Sequence, residues 1–149
     1  MNKYLEMKER HMADINAFPF VWAFSNEQFK EGMEKLGLKE TDTKKVFSIG
    51  AGGFIRKTDA KAMEKMFEDQ KKELWDAINS DKNGDGFILD MFTYELENHE
   101  YMVTYSTSDT LNALGITKED LEKNKNLADG LESARKYVIG KYEEEEIKI

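Results

Sequence analysis

Apolar residues recur along this chain at two periods, and the changes of period mark its elements. Across residues 4–17, Leu5, Met12 and Ile15 fall at roughly helical spacing among charges. This predicts a helix that stops before Pro19, because proline restricts the residue ahead of it. Phe18, Phe20, Trp22 and Phe24 then alternate with Pro19, Val21 and Ala23. Rings at every second position share one face of an extended segment, and their size predicts that this face enters the core. Ser25 with Gln28 three residues on is a capping-box pattern. It opens a helix through Phe29, Met33 and Leu36, which Gly37 is placed to end.

Residues 46–49 and 54–56 read as two short strands flanking the turn Gly50-Ala-Gly-Gly53, a hairpin. Thr58 or Asp59 caps the next helix, on which Met63, Phe67, Leu74 and Ile78 form a stripe with Met66 and Trp75 on its flanks. Residues 79–86 break it, and a helix over 88–98 buries Ile88, Met91, Phe92 and Leu96. Residues 100–105 are β-branched and aromatic enough to predict a strand. Ser108 caps a short helix through Leu111 and Leu114 that Gly115 ends, and Thr117 with Asp120 caps another. Leu127, Leu131, Ala134, Val138 and Tyr142 form the last long stripe, and residues 143–149 are expected to fray as an acidic tail. A helical majority with three or four short strands predicts a helix-rich α+β fold in one globular domain, 1–149.

Composition narrows the classes. The 149 residues are 40% hydrophobic and 11% aromatic, which is ample for a core. The absence of cysteine excludes a disulfide framework, a thiolate nucleophile and Cys-ligated zinc. No apolar run approaches the ~18–20 residues of a membrane span, so no membrane partner is expected. The first ten residues lack the apolar stretch of a signal peptide, which points to the cytoplasm.

Charge alters the picture most. The net charge is −8, and it is lopsided: 14 basic and 13 acidic residues up to Leu74, then 8 basic and 17 acidic from Trp75 onward. Between Lys82 and Lys118 there is no cation at all, while Asp85, Asp90, Glu95, Glu97, Glu100 and Asp109 all fall there. Direct nucleic-acid binding is disfavoured by that sign. The functional reading of this run is an acidic surface that meets a protein with a basic surface, since opposed potentials steer encounter and set register. A solvated face that maintains solubility is the simpler alternative.

Three strings invite chemical readings. Asp81, Asn83 and Asp85, with Gly86 and the Phe87 carbonyl, resemble the first half of an EF-hand calcium loop; position 12, where a bidentate Glu belongs, is Phe92. Turn formation by Asn83-Gly84 and Asp85-Gly86 accounts for the same residues. Gly50, Gly52 and Gly53 after a strand, with Arg56 nearby and His99 elsewhere, offer an anion or nucleotide loop. Ile55 stands where the third glycine of a dinucleotide-binding turn belongs, so a hairpin is the simpler reading. Glu95 and His99 are four apart and could share a metal only with a third ligand. The hydroxyls of Ser106–Ser108 lack a base and suit a loop and helix cap. No cofactor is expected.

Three strings taken together carry a resemblance: Trp22-Ala-Phe-Ser-Asn-Glu-Gln-Phe29, Ile49-Gly-Ala-Gly-Gly-Phe-Ile-Arg56, and Gly86-Phe-Ile-Leu-Asp-Met-Phe92 with Tyr94-Glu-Leu-Glu-Asn-His-Glu-Tyr101. Their order and spacing resemble a family of small uncharacterised proteins of bacterial viruses and mobile elements. The resemblance implies an accessory protein of a bacterial cytoplasm and transfers no activity to any residue. The expectation is a non-enzymatic acidic protein that binds and blocks a basic nucleic-acid-handling or defence protein, by mimicry of nucleic-acid charge. The six acids named above would make the contact. The alternatives are a small-ligand or nucleotide-binding protein or enzyme that uses the glycine loop and, more weakly, a calcium-binding module with the incomplete loop.

Overall fold

Ile88, Met91, Phe92 and Leu96 recur at three- and four-residue steps, and all four are fully buried on one face of a helix. The structure is a computed structural model that describes residues 2–147. Its elements are α1 (Lys3–Ala17), β1 (Val21–Trp22), α2 (Asn26–Lys35), β2 (Val46–Gly50), β3 (Gly53–Arg56), α3 (Ala60–Ser80), α4 (Phe87–Asn98), α5 (Tyr101–Thr104), α6 (Ser108–Leu114), α7 (Lys118–Lys123) and α8 (Lys125–Ile147). Short 3-10 turns occupy Thr43–Lys45 and Lys57–Asp59. The fold is helix-rich α+β with a three-stranded antiparallel sheet, as the sequence predicts. The chain forms two compact units: one joins the residues up to Lys8 with those from Glu73 onward, the other is Glu9–Lys72.

The larger unit is helical. The buried face of α4 packs against Leu127, Ala134 and Val138 of α8, with Tyr4, Ile78, Tyr101, Leu114 and Ile116 closing the core. Each of the larger aliphatic side chains among them contributes roughly 1.5–3 kcal/mol of burial. Gly130 sits within α8 because a Cβ there would lie 2.3 Å from Ile88 Cγ2 and 2.8 Å from the Gly84 carbonyl oxygen. Its absence lets α8 seat against α4. Thr117 and Asp120 form a reciprocal capping box on α7, and Gly115 ends α6 in the left-handed region. Ser108 is the first residue of α6, with Thr107 at the cap position.

Two expectations fail here. Residues 100–105 are not a strand: Tyr101–Thr104 form the single turn α5 between two left-handed residues, Glu100 (φ 54°) and Tyr105 (φ 53°). The described part of this unit has no strand to pair with, and burial of the Tyr101 ring overrides β propensity. Arg135 Nε donates to its phenol oxygen at 2.9 Å. Glu143–Glu146 do not fray either, because α8 continues to Ile147. Glutamate is a good helix former, and Lys141 lies four residues before Glu145, a favourable pairing distance. Residues 148–149 lie outside the described residues.

In the smaller unit β3 is central, flanked by β1 and β2. One face carries Val21 and Phe54 against Met33 and Leu36. Gly32 permits this approach, since a Cβ would stand 2.3 Å from Val21 Cγ1. The aromatic alternation is therefore inverted. Val21 is the buried residue, while Trp22 is 53% and Phe24 77% exposed. A period of two separates the faces without saying which is covered, and α2 covers the Val21 face. Phe18, Phe20 and Trp22 form a chain of ring contacts, with Phe67 of α3 stacked on Phe20 at 6.4 Å. Of the α3 stripe only Ile78 is fully buried.

Candidate functional site

The larger unit carries 19 acidic and 10 basic residues, −9, whereas Glu9–Lys72 carries 11 and 12, +1. The six acids singled out by sequence do not act as one surface. Glu97 and Glu100, from the end of α4 and the turn after it, line one cleft with Tyr101, Met102, Tyr142 and Glu145, and its volume is about 260 Å³. Lys141 also lines it and donates to Glu97 at 3.2 Å. Hydrogen bonding to Glu97 and its charge, with a further contribution from Glu145, raise the Lys141 pKa. Three carboxylates against one ammonium leave this cleft net acidic. Val103 and Tyr105, in the adjoining residues of the chain, are strongly exposed. Neither Glu145 nor Tyr142 stands out as a site residue in the sequence, because Glu145 falls in the acidic run expected to fray and Tyr142 in the stripe assigned to the core. Their signal lay in the continuing helical spacing Val138, Tyr142, Glu145.

Glu95 is corrected outright. Its side chain is 3% exposed, and Tyr4 Oη (3.1 Å) and Lys8 Nζ (2.5 Å) both donate to Oε1. His99 Nε2 lies 3.3 Å from Oε2. Burial, and then the charge of Glu95, push the Tyr4 phenol well above its usual range, so it remains a donor. Glu95 thus ties the first turns of α1 to α4 and is not available to a partner. His99 is engaged with it, so this pair is a structural anchor. Asp90 is half-buried beside Asp81 and Lys3, and Asp85 and Asp109 are exposed away from the cleft lining.

The calcium-like loop closes on its own amides. Asp81 Oδ1 accepts from the Gly84 N–H at 3.0 Å, and Oδ2 accepts from Gly86 (3.1 Å) and Ile88 (3.0 Å). Asn83 and Asp85 point to solvent, and the Phe87 ring packs edge-on to Tyr4 at 5.8 Å. Phe92, at the closing position, is in the core. Among the described residues no group of three or more His, Cys, Asp or Glu could hold a metal ion. Desolvation raises the Asp81 pKa, but the backbone donors of Ile88, Gly86, Gly84 and Asn83 together outweigh it and hold the carboxyl below its usual value. A folded-state pKa below the unfolded one stabilises above the unfolded value, ~3.9, and that stability is lost as pH falls through the folded one. Asp81→Ala is therefore expected to cost about 1–2 kcal/mol at pH 7. In urea titrations at stepped pH, its deficit against the unaltered protein should narrow progressively below pH 4. A deficit that stays constant to pH 2 would show that the carboxylate charge is irrelevant.

The glycine loop has a packing explanation. Gly50, Ala51 and Gly52 have positive φ and turn the hairpin. A Cβ on Gly52 would meet the Phe24 ring at 2.8 Å, and one on Gly53 the Trp22 ring at 2.5 Å. The glycines make room for aromatic rings over the backbone. Arg56 is committed as well, with Nε donating to Asp59 at 2.8 Å and a guanidinium nitrogen to the Leu36 carbonyl at 3.4 Å. His99 belongs to the other unit and to Glu95.

These features define a helix-rich α+β protein that presents a carboxylate-lined cleft. The chain belongs to a family of unknown function, DUF7659, whose model matches residues 3–137. No curated protein and no solved structure matches it. No described helix is long and apolar enough to cross a membrane.

Proposed function

We propose that this is a non-enzymatic interaction protein whose acidic unit occupies the basic surface of a bacterial protein, blocking a nucleic-acid-handling or defence factor by presenting carboxylates where phosphates would sit. The observation that carries the reading is the convergence of Glu97, Glu100 and Glu145 on one cleft beside Tyr142. A partner lysine or arginine entering it would meet carboxylates and an aromatic face together, an arrangement that favours cations. The −9 balance of the unit adds long-range steering toward a basic partner.

The test is a tagged pull-down from nuclease-treated bacterial lysate, followed by titration of any purified partner at two salt concentrations. Glu97→Lys, Glu100→Lys and Glu145→Lys together are expected to abolish retention and, because all three side chains are exposed, to leave the fold intact by circular dichroism. Binding of the unaltered protein should weaken as salt rises. Unchanged affinity in the triple variant would sink the reading.

A further inference from the structure

A second surface lies in the smaller unit and owes nothing to the acidic cleft. Helix α2 covers the sheet where Val21 and Phe54 meet Met33 and Leu36, and it leaves the same face of β2 partly open. The opening is a groove of about 590 Å³. Phe54 at its floor is buried and Phe29 and Val46 are partly so, while Phe24, Ser25, Asn26, Thr43 and Ser48 are exposed. Charged residues make up 35% of this chain, yet none of the eleven residues lining the groove is charged. A solvated surface here would carry charge as the rest does.

Beside the groove, β2 is an outer strand. The order β1-β3-β2 gives it a neighbour on one side only, so its other edge presents backbone donors and acceptors in a row. Cations mark one end of that edge. Lys44 and Lys45 lead into β2, and the register Val46 to Arg56 brings Lys57 to the same end. Lys57 Nζ stands 5.0 Å over the Phe47 ring. Asp42 opposes them, 3.8 Å from Lys45, leaving an excess of positive charge.

We infer that β2 receives an extended segment of a partner protein as a fourth strand. Alternate apolar side chains of the segment fill the uncharged groove, and an acidic residue at its end meets Lys44, Lys45 and Lys57. In such strand addition the main chain gives affinity, and the side-chain groove gives specificity. A second copy of this chain fits less well. The residues its own β2 would contribute on that face, Val46 and Ser48, are too small to fill the groove.

The probe is an array of synthetic decapeptides with Val, Ile, Phe or Tyr at alternate positions and acidic, neutral or basic ends, tested against the full chain. Acid-ended peptides carrying an aromatic residue are expected to bind, and to slow amide hydrogen exchange across residues 46–50. Ser48→Glu, an exposed change that sets a charge in the groove, is expected to weaken the best peptide about tenfold or more. Lys44→Glu with Lys45→Glu is expected to shift the preference toward basic ends, and it carries the test should Ser48→Glu misfold. Several results would overturn the inference: no array peptide bound above scrambled controls, binding indifferent to both variants, or a preference for basic ends in the unaltered protein. A dimer in sedimentation that Ser48→Glu dissociates would also overturn it, by giving β2 to a second copy.

Discussion

Exchanging Glu95 for lysine is expected to remove about 4 kcal/mol from the unit built on α4, a large share of the ~5–15 kcal/mol that holds a domain folded. The carboxylate is almost wholly buried between Tyr4, Lys8 and His99, all of which direct polar hydrogens at it or stand ready to. A second ammonium in that space would face Lys8 and leave the Tyr4 hydroxyl without its acceptor. Breaking a buried pair by removing one partner costs ~3–5 kcal/mol when both ions are enclosed. Lys8 is 33% exposed, so Glu95→Ala falls below that range, at about 2–3 kcal/mol. Glu97→Lys provides the contrast. It disturbs only an exposed pair with Lys141 and should change stability by no more than about 0.5 kcal/mol. Urea denaturation of the three variants checks this. A Glu95→Ala protein as stable as the unaltered one would refute the anchoring role. The same reasoning decides how the partner surface can be probed: a charge reversal that includes Glu95 weakens the fold, so a loss of binding in it would say nothing of the contact.

Gly84→Ala is expected to cost about 3 kcal/mol and Gly130→Ala about 1–2 kcal/mol. At Gly84 two penalties combine. Its φ of +77° is left-handed, and a Cβ would lie 2.2 Å from the Asn126 carbonyl oxygen, which is backbone and cannot rotate away. Gly130 is a contest of signs. Alanine inside a helix gains ~1 kcal/mol over glycine by propensity alone. Against that stand Ile88 Cγ2 at 2.3 Å, on a side chain with no free space, and the backbone oxygen of Gly84 at 2.8 Å. Overpacking of this kind costs ~1–3 kcal/mol, with a separation of α8 from α4 to relieve it, so the net effect is destabilising. Thermal melts of both variants decide it. A higher melting temperature for Gly130→Ala would mean that α8 does not seat on α4 as described.

Local signals made much of this fold legible. The stripes of α4 and α8, the Thr117 box, and the glycines that end α2 and α6 each report on their own few residues, and each is found where the sequence puts it. Failures came where a distant partner decides. Nothing near Val21 says that α2 covers its side of β1, and residues 100–105 lacked only a strand to pair with. The candidate site was half legible. Counting charge found Glu97 and Glu100 but swept in Glu95, although its place was readable: positions 88, 91, 92 and 95 are the i, i+3, i+4 and i+7 of one helix face. An acid on an apolar stripe belongs to the interior. Glu145 is hidden for the opposite reason: the run of four glutamates looks like a solvated end, yet α8 continues through it.

The pairing of Lys8 with Glu95 spans 87 positions, and the whole Glu9–Lys72 unit lies between them. On the ribosome, therefore, the order of completion is not the order of synthesis. The sheet and α2 have all their residues once Lys72 has emerged, while the opening turns of α1 wait, with Tyr4 and Lys8 exposed, until α4 and then α8 arrive. The smaller unit is in effect a parenthesis that closes before the sentence around it does. Nascent chains halted once Lys72 has cleared the ribosome should thus carry a protected sheet and an unprotected N-terminus.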